Sequence, residues 1–400
     1  MMMNEMTGQI EAAASIAPFK VDTSRGRADG RVSSEWFTRP DDERYLNLND
    51  LYAAVHARKV SATAQVIETR TLRVEADRDE PERLALRIGD AAETMAPTHW
   101  SFGQLCSLIG APGGYLRSLP APIAGIALQY GLVHHRSEMV KLLNGGGDTT
   151  QLRAITGPDY GRIWDEELVL AVRTIAGDGV GQTRWKVPGQ IDWSTSTYNP
   201  YVDVTKETTT LYASDRDVFL FLVDDTNPIE AGRLPNGEPD LFFRGFYAWN
   251  SEVGSKTLGI ASFYLRGVCQ NRNIWGLEEF QELKIRHSKF AGSRFAYEAS
   301  PALERFARSS PAGFITGVKN ARETIVARRD EDRSRFLKAM GFGKSETTKI
   351  IETVLREEGR PPESIFDFVQ GITAMARTKG NQDARIDLEQ KAGKLMARVA

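Results

Sequence analysis

The chain has 400 residues and a mass of 44.5 kDa, which is enough to bury a substantial core and to form two or three structural units. Its hydrophobic content of 41% and charged content of 26% exclude disorder of the whole chain. The 51 basic and 53 acidic residues give a formal charge of −2, which excludes the global cationic field of a protein that coats duplex DNA.

The two cysteines, Cys106 and Cys269, are too few for a disulfide framework or for a cysteine-rich zinc site. A reducing, cytoplasmic location is therefore expected. No apolar run approaches the roughly 18–20 residues of a membrane span, and the N-terminus lacks the cationic start and apolar core of a signal peptide. We expect no partnership with a membrane.

The N-terminal part begins with residues 1–40, whose Ala, Ser, Gly, Asp and Arg content is typical of a mobile leader. Residues 46–60 follow with the apolar spacing of a helix. Alternation of apolar and polar residues over 64–76 and 82–90 predicts two paired strands.

Two helices are predicted next. Ser101 can cap the first turn of the first helix, Gln104 can reach back to that cap, and Gly110 can take the left-handed closing conformation. The second helix covers about residues 122–132. Further along the chain the patterns predict a strand at 152–157, a helix at 164–177, two strands within 207–224 separated by the turn 214–217, a loop at 231–240 and a strand at 242–249.

Residues 255–269 fit two patterns. Alternation places Phe263, Leu265 and Cys269 on one face of a strand, whereas Leu258 and Val268 belong to a set with helical spacing. The length of the run and the glycine-containing break before it favour a helix.

From about residue 300 onward, apolar residues recur every three or four positions in charged stretches broken by Pro and Gly. This pattern predicts a helical region over 301–400. The expected fold class is α+β, with a mixed or antiparallel sheet and packed helices over 41–300 followed by that helical region.

Familiar catalytic and metal-binding motifs are not matched. The stretch GFGKSE (341–346) contains the Gly-Lys-Ser of a phosphate-binding loop. That loop needs a further glycine five positions before Gly343, and this chain has Lys338 there. We therefore predict a turn between two helices, with Ser345 capping the second. Asp215, Asp217, Asp224 and Asp225 could hold Mg²⁺, but such residues are more often turn formers, so neither a metal nor a cofactor is predicted.

The densest polar and aromatic set lies between residues 250 and 290. From Lys256 to Arg294 there are seven Lys or Arg against three Glu, so this segment is +4 in a chain that is −2 overall. Guanidiniums bind phosphates, amides read base edges and aromatic rings stack on unpaired bases. A structural alternative has Asn271 and Asn273 closing a helix, Cys269 buried as a small hydrophobe and Arg286 paired with a nearby Glu.

Several quoted stretches carry a family resemblance: LRAITGPDYGRI, LYASDRDVFLFLVDD, WNSEVGSKTLGIASFYLRGVCQNRNIWG, LKIRHSKF and DLEQKAGKLMA. Together they resemble the phage- and plasmid-associated domain-of-unknown-function family 932, over about residues 95–400. The family usually has Asn-Gly after its cysteine, where this chain has Asn271-Arg272-Asn273. The resemblance implies a gene of a mobile element, near replication or recombination functions, and no particular activity.

The leading hypothesis is a non-enzymatic nucleic-acid-binding protein that handles single-stranded DNA. The predicted phosphate-binding residues are Arg266, Arg272, Lys284, Arg286 and Lys289, and the predicted stacking residues are Trp275 and Tyr264. The predicted polar site contains Asn250, Ser251, Glu252, Cys269, Asn271 and His287.

Two alternatives remain open. The first is an enzyme in which His287 activates the Cys269 thiol and Glu252 orients the imidazole. The second is a protein that binds a host factor through its C-terminal helices. These amphipathic helices are also typical of a packed bundle or an oligomer interface, so a homo-oligomer is among the expected assemblies.

Overall fold

The computed structural model describes residues 39–145, 150–188, 190–192, 197–199, 203–234, 237–266, 283–377 and 382–399. The leader predicted for residues 1–40 therefore lies outside the described residues, except for its last two. Helices and antiparallel or mixed sheets form the first and middle parts of the chain, and helices follow, which confirms the α+β prediction. None of the described helices combines the length and apolarity that crossing a bilayer requires.

The first part of the chain contains a small sheet with helices packed against it. Its elements are β1 (Arg44–Tyr45), α1 (Leu48–Val60), β2 (Thr63–Glu68), β3 (Leu72–Ala76), β4 (Leu84–Ile88), β5 (Ala96–Pro97), α2 (His99–Ile109), α3 (Gly113–Leu116), α4 (Ala121–His134), β6 (Met139–Gly145) and β7 (Gln151–Thr156). The four-stranded sheet has the order β2-β6-β7-β5, and only β5 and β7 run parallel. Phe102, Leu128 and Leu142 are fully buried in the core beneath it.

The predicted pairing of 64–76 with 82–90 is confirmed only for the second half of the first segment. β3 pairs with β4, from Leu72 opposite Ile88 to Ala76 opposite Leu84. Residues 63–68 instead form β2, which pairs with β6. The short 3-10 turn Thr69–Thr71 separates β2 from β3 and allows the chain to pass from one sheet to the next.

The N-cap of helix α2 lies three residues earlier than the predicted cap. Thr98 is the N-cap and its Oγ1 accepts a hydrogen bond from the Ser101 amide at 3.2 Å, so Ser101 is not the cap. The Ser101 hydroxyl donates to the Leu152 carbonyl at 2.6 Å and so connects the helix to β7. Gly110 closes the helix in the left-handed conformation with φ of 69°, as predicted.

The middle of the chain forms a larger sheet. Its elements are α5 (Asp165–Ala176), β8 (Trp185–Lys186), β9 (Gln190–Asp192), β10 (Thr197–Asn199), β11 (Leu211–Ala213), β12 (Val218–Arg233), β13 (Pro239–Asn250), β14 (Leu258–Arg266) and β15 (Leu283–Ile285). The order is β1-β11-β12-β13-β14-β15, with β8 also on β12 and all pairs antiparallel. Helices α1 and α5 pack on one face, where Leu51, Val172 and Leu220 are fully buried. β12 extends to Arg233 and β13 begins at Pro239, so the two strands occupy both ends of the predicted loop 231–240.

The helix predicted for 255–269 is wrong, because residues 258–266 form strand β14. Both faces of this strand are buried, with Ile260 facing one core and Phe263 the other. Apolar residues therefore occupy odd and even positions alike, and the run also matches a helical spacing. The Phe263 ring lies over Gly245 on β13, 2.1 Å from where a Cβ would stand. The Trp249 ring covers Gly259 in the same way, at 1.9 Å, and such ring–glycine pairs fix the register.

The last part of the chain is helical, as predicted. Its elements are α6 (Ala291–Arg294), a π-helical turn (Phe295–Ala299), α7 (Ser300–Arg308), α8 (Ala312–Glu323), α9 (Asp330–Ala339), α10 (Lys344–Glu358), α11 (Ile365–Arg377) and α12 (Gln382–Met396). Their shared core also contains Ile229, Phe242 and Tyr264 from the far ends of the large sheet. The helices thus pack on the strands as well as on each other.

Residues 341–343 form the predicted turn between two helices. Gly341 takes a φ of 85° between α9 and α10. Gly343 is the N-cap of α10 and its amide donates to the Glu346 carboxylate at 3.1 Å. Ser345 therefore lies in the first turn of the helix and is not the cap.

Candidate functional site

A buried polar centre lies between the two sheets. It consists of Arg153 on β7, Asp165 at the start of α5, Asn250 at the end of β13, and Ser251 and Glu252 just after that strand, none of which is more than 4% exposed. Strand β13 ends here, and the chain turns through Gly254, which has a φ of 83°. The Asn250–Glu252 segment therefore belongs to the buried turn between β13 and β14, and Glu252 contacts the small sheet through Arg153.

Glu252 holds the buried polar centre together. Its carboxylate accepts a hydrogen bond from Arg153 Nη2 at 2.9 Å and one from the Asp165 amide at 3.1 Å. Asn250 Nδ2 donates to Asp165 Oδ1 at 2.8 Å. The Ser251 hydroxyl donates to the Arg216 carbonyl at 2.6 Å and so connects the centre to the turn between β11 and β12.

The charges of the centre are only partly balanced. Burial and the nearby Glu252 carboxylate raise the pKa of Asp165 well above its usual range. Burial also raises the pKa of Asp215, although nearby arginines oppose this shift. Such shifted carboxylates occur at functional sites and in structural ion-pair networks. The engagement of Glu252 by Arg153 favours the structural role here.

His287 lies beside this centre. Its ring stacks on Tyr160 with centroids 5.0 Å apart, and Tyr160 donates its hydroxyl to the Ser251 carbonyl at 3.2 Å. Gly161 allows the close approach, because a Cβ there would stand 1.8 Å from the Ser288 carbonyl oxygen. The structure thus brings Asn250, Ser251, Glu252 and His287 into one region.

The role predicted for Glu252 in an enzyme is wrong. Both of its carboxylate oxygens are engaged, by Arg153 and by the Asp165 amide, while His287 Nδ1 lies 3.2 Å from the Gly161 carbonyl. Glu252 therefore does not orient the imidazole. Burial lowers the pKa of His287, which keeps the ring neutral near pH 7.

A second buried ion cluster lies near the N-terminal edge of the large sheet. Arg39 Nη2 donates to both carboxylate oxygens of Asp217, at 2.8 and 3.0 Å, and Arg39 Nη1 lies 3.4 Å from Glu43. Burial raises the pKa of Glu43 to about 7, and the Arg39 charge opposes this only in part. Asp217 and Asp215 raise the pKa of Glu43 further.

This cluster predicts a pH-dependent stability. The pKa of Glu43 rises from 4.5 to about 7 in the folded protein, so the folded state binds more protons and stability falls as the pH rises between these values. The rise corresponds to at most about 3 kcal/mol. We expect Glu43→Gln to reduce this fall, as measured by urea unfolding at pH 4.5, 6 and 8. A variant that loses as much stability as the wild type over this range would contradict the assignment.

The acidic residues considered for Mg²⁺ have protein partners. Asp217 is bound by Arg39, and Asp224 accepts from Arg184 Nε at 2.7 Å and from Asn227 at 2.9 Å. Asp215 lies 3.8 Å from Arg216 Nε, and the Asp225 side chain lies outside the described ones. Within the described ranges no group of three His, Cys, Asp or Glu side chains could hold a metal ion.

Two predicted nucleic-acid contacts are wrong. Arg266 is 2% exposed and its guanidinium binds Asp240 at 2.7 Å and Glu358 at 2.9 Å, so it cannot reach a phosphate. Tyr264 is 7% exposed and stacks on Phe314 with ring centroids 3.7 Å apart, so it is not available to a base. Both side chains instead bind the C-terminal helices to the sheet.

The other predicted phosphate-binding residues that the structure describes lie on the surface. Lys284, Arg286 and Lys289 are exposed, while Ile285 between the first two is fully buried. Arg286 and Lys289 form no ion pair with any other residue that the structure describes. These three residues continue directly into the turn before α6.

Two aromatic residues on this surface were missed by the sequence analysis. Phe290 is 68% exposed and Tyr297 is 83% exposed. The signal was available, because Ala291, Phe295 and Ala299 form the buried side of the helical segment and leave both rings out of phase with it. We call Lys284, Arg286, Lys289, Phe290, Arg294 and Tyr297 the basic–aromatic surface.

The remaining predicted site residues lie outside the described residues: Cys269, Asn271, Arg272 and Trp275. The described cysteine, Cys106, is buried in the core of the small sheet, and burial raises its pKa to about 11. A thiol with that pKa is a poor nucleophile near neutral pH.

Comparison of the chain with models of protein families, with curated proteins and with solved structures finds no match.

Proposed function

We propose that the protein binds single-stranded nucleic acid, with single-stranded DNA favoured, through the basic–aromatic surface. The observation that carries this proposal is the exposure of Phe290 and Tyr297 among several surface cations. Exposed aromatic rings beside surface cations are the features that bind bases and phosphates of a single strand. The rings favour a single strand because a duplex does not offer unstacked bases.

The spacing of the two rings supports contact with more than one nucleotide. Phe290 directly precedes α6 and Tyr297 lies in the π-helical turn after it, so the two rings are seven residues apart along the segment. Arg294 lies between them and forms a bidentate pair with Glu298 at 2.8 and 3.0 Å, so its charge is partly neutralised. Arg286 and Lys289 are therefore the residues proposed to bind phosphates.

The biological setting is also part of the proposal. The resemblance to family 932 supports a role in the replication or recombination of a mobile element, inside the cytoplasm of its host. The buried polar centre would then serve to hold the basic–aromatic surface in place. Gly161 and Tyr160 support this, since both contact the segment that carries the surface.

The test is fluorescence anisotropy of labelled single- and double-stranded oligonucleotides across a salt series. We expect tighter binding to single strands, weakening with salt. Arg286→Ala combined with Lys289→Ala should weaken binding roughly tenfold and reduce the salt slope by about 1.4, because two phosphate contacts are lost. Phe290→Ala should weaken binding by about tenfold and leave that slope unchanged, because stacking releases no counterions.

The matched control is Lys344→Ala combined with Lys349→Ala, which removes the same charge from exposed positions on α10. This variant should bind as the wild type does. Equal weakening by both double variants would mean that net charge alone governs binding. That result, or wild-type affinity in the Arg286/Lys289 variant, would reject the basic–aromatic surface as the binding site.

A further inference from the structure

A cavity of about 510 Å³ lies between helix α2 and the adjoining ends of strands β6 and β7. Arg117 and Arg216 contribute to its wall, and no residue of the basic–aromatic surface does. The volume falls within the range of small-molecule sites. The exposed Ser107 and Gly157 lie at its rim, so the cavity is open to the solvent there.

Arg117 is the unusual residue of this cavity. Its Nη2 contacts the His99 carbonyl at 3.4 Å and its guanidinium lies over the Phe102 ring at 4.9 Å. Its Nε is buried and has no hydrogen-bond partner within the described part of the chain. No carboxylate pairs with it there, and burial consequently lowers the pKa of Arg117. Half-buried guanidiniums are normally paired with an anion.

The rest of the wall carries no opposing charge. Arg216 and His99 are 3% and 6% exposed, and no described Asp or Glu lines the cavity. The Asp215 carboxylate lies 3.8 Å from Arg216 Nε but does not line the cavity. The cavity is thus cationic. The acidic group of a bound ligand could pair with Arg117 there.

The apolar part of the wall is held rigid. Trp100 donates its Nε1–H to the Val253 carbonyl at 3.0 Å, which fixes the indole. Gln104 donates to the same carbonyl at 2.7 Å and accepts from the Ile155 amide at 2.9 Å. Met139 completes this side of the cavity. Rigid walls lower the entropic cost of binding a ligand.

We propose that this cavity binds a small organic anion, whose acidic group pairs with Arg117 and whose apolar part lies against Trp100 and Met139. A guanidinium accepts carboxylates and phosphates in the same bidentate geometry. The ligand is therefore an aromatic carboxylate or a mononucleotide, and the two sources are separated by competition. The site is distinct from the proposed DNA-binding surface and does not depend on it.

The test uses the full chain and the fluorescent probe anilinonaphthalene sulfonate, an apolar organic anion. We expect saturable binding at one site, weakened at least fivefold by Arg117→Gln and by Ser107→Trp, which narrows the rim. Arg117→Lys should retain part of the affinity because it keeps the charge. The exposed Arg328→Gln is the matched control and should bind the probe as the wild type does.

Competition identifies the acidic group. Displacement of the probe by thymidine monophosphate, but not by benzoate, assigns a phosphate, and the reverse assigns a carboxylate. Absence of saturable binding would overturn the proposal. So would an unchanged affinity in both Arg117→Gln and Ser107→Trp when thermal unfolding shows that the variants are folded.

Discussion

Arg153→Met is expected to lower the free energy of unfolding by about 4 kcal/mol at pH 8, because it leaves buried charge without its partner. Glu252 is fully buried and Asp165 is 1% exposed, and Arg153 is the guanidinium that contacts Glu252 at 2.9 Å. Burial and the Glu252 carboxylate raise the pKa of Asp165, and the Arg153 charge opposes this rise. Loss of Arg153 should therefore raise the pKa of Asp165 further. Protonation of Asp165 at lower pH then removes buried charge, so the loss of stability should be smaller at pH 5.5. Urea unfolding followed by tryptophan fluorescence at the two pH values measures both effects.

A double variant separates this ion pair from general damage. Arg153→Met combined with Glu252→Gln removes both charges and should recover part of the stability that Arg153→Met loses. Glu80→Gln breaks an exposed pair with Arg83 and is the matched control, for which no measurable change is expected. A double variant less stable than Arg153→Met, with no difference between the two pH values, would show that Arg153 acts through packing.

Asp240→Asn is expected to cost about 3 to 5 kcal/mol, since it removes the charge that two arginines share. Asp240 is fully buried, accepts from Arg266 Nε at 2.7 Å and also binds Arg322 on α8. The Phe366 ring lies within 5.1 Å of one guanidinium and 4.1 Å of the other. Hydrogen exchange should show the loss of protection first in α8 and α11, which contact this cluster.

The control for this prediction is again Glu80→Gln. The exposed Glu80 carboxylate pairs with Arg83 alone among the described residues. Helix α1, which packs on the opposite end of the large sheet, should keep its protection in Asp240→Asn. Uniform loss of protection across the chain would mean that Asp240 supports the whole fold. Unchanged protection in α8 would mean that the arginines are held by Glu358 and packing alone.

The α+β class and most elements follow from the sequence because periodicity is a local property. Helix α1, with Leu51 and Val55 on its buried side, and the strand around Leu152 show this. Strand β14 does not follow, because burial of both of its faces removes the alternation that distinguishes a strand. The start of α2 was displaced by three residues because Thr98 and Ser101 are both good caps.

The candidate site was predicted in part for a similar reason. Residue types drew attention to Asn250–Glu252, which the structure buries, and to the cations near residue 286, which it exposes. Sequence could not tell that Arg266 and Tyr264 are covered, because their partners Glu358 and Phe314 lie 92 and 50 positions further along the chain. Arg117 gave no signal, since an isolated arginine between turns has no motif.

The extended ends of the β12–β14 sheet have a consequence for synthesis on the ribosome. Ile229, Phe242 and Tyr264 belong to the same core as Phe314 and Ile372, which are translated at least 50 residues later than Tyr264. A nascent chain that stops near residue 300 therefore exposes these apolar side chains together with Asp240. Such surfaces attract chaperones and neighbouring nascent chains. The far ends of the sheet are covered only after the C-terminal helices have left the ribosome, so the exposed apolar surface favours aggregation until then.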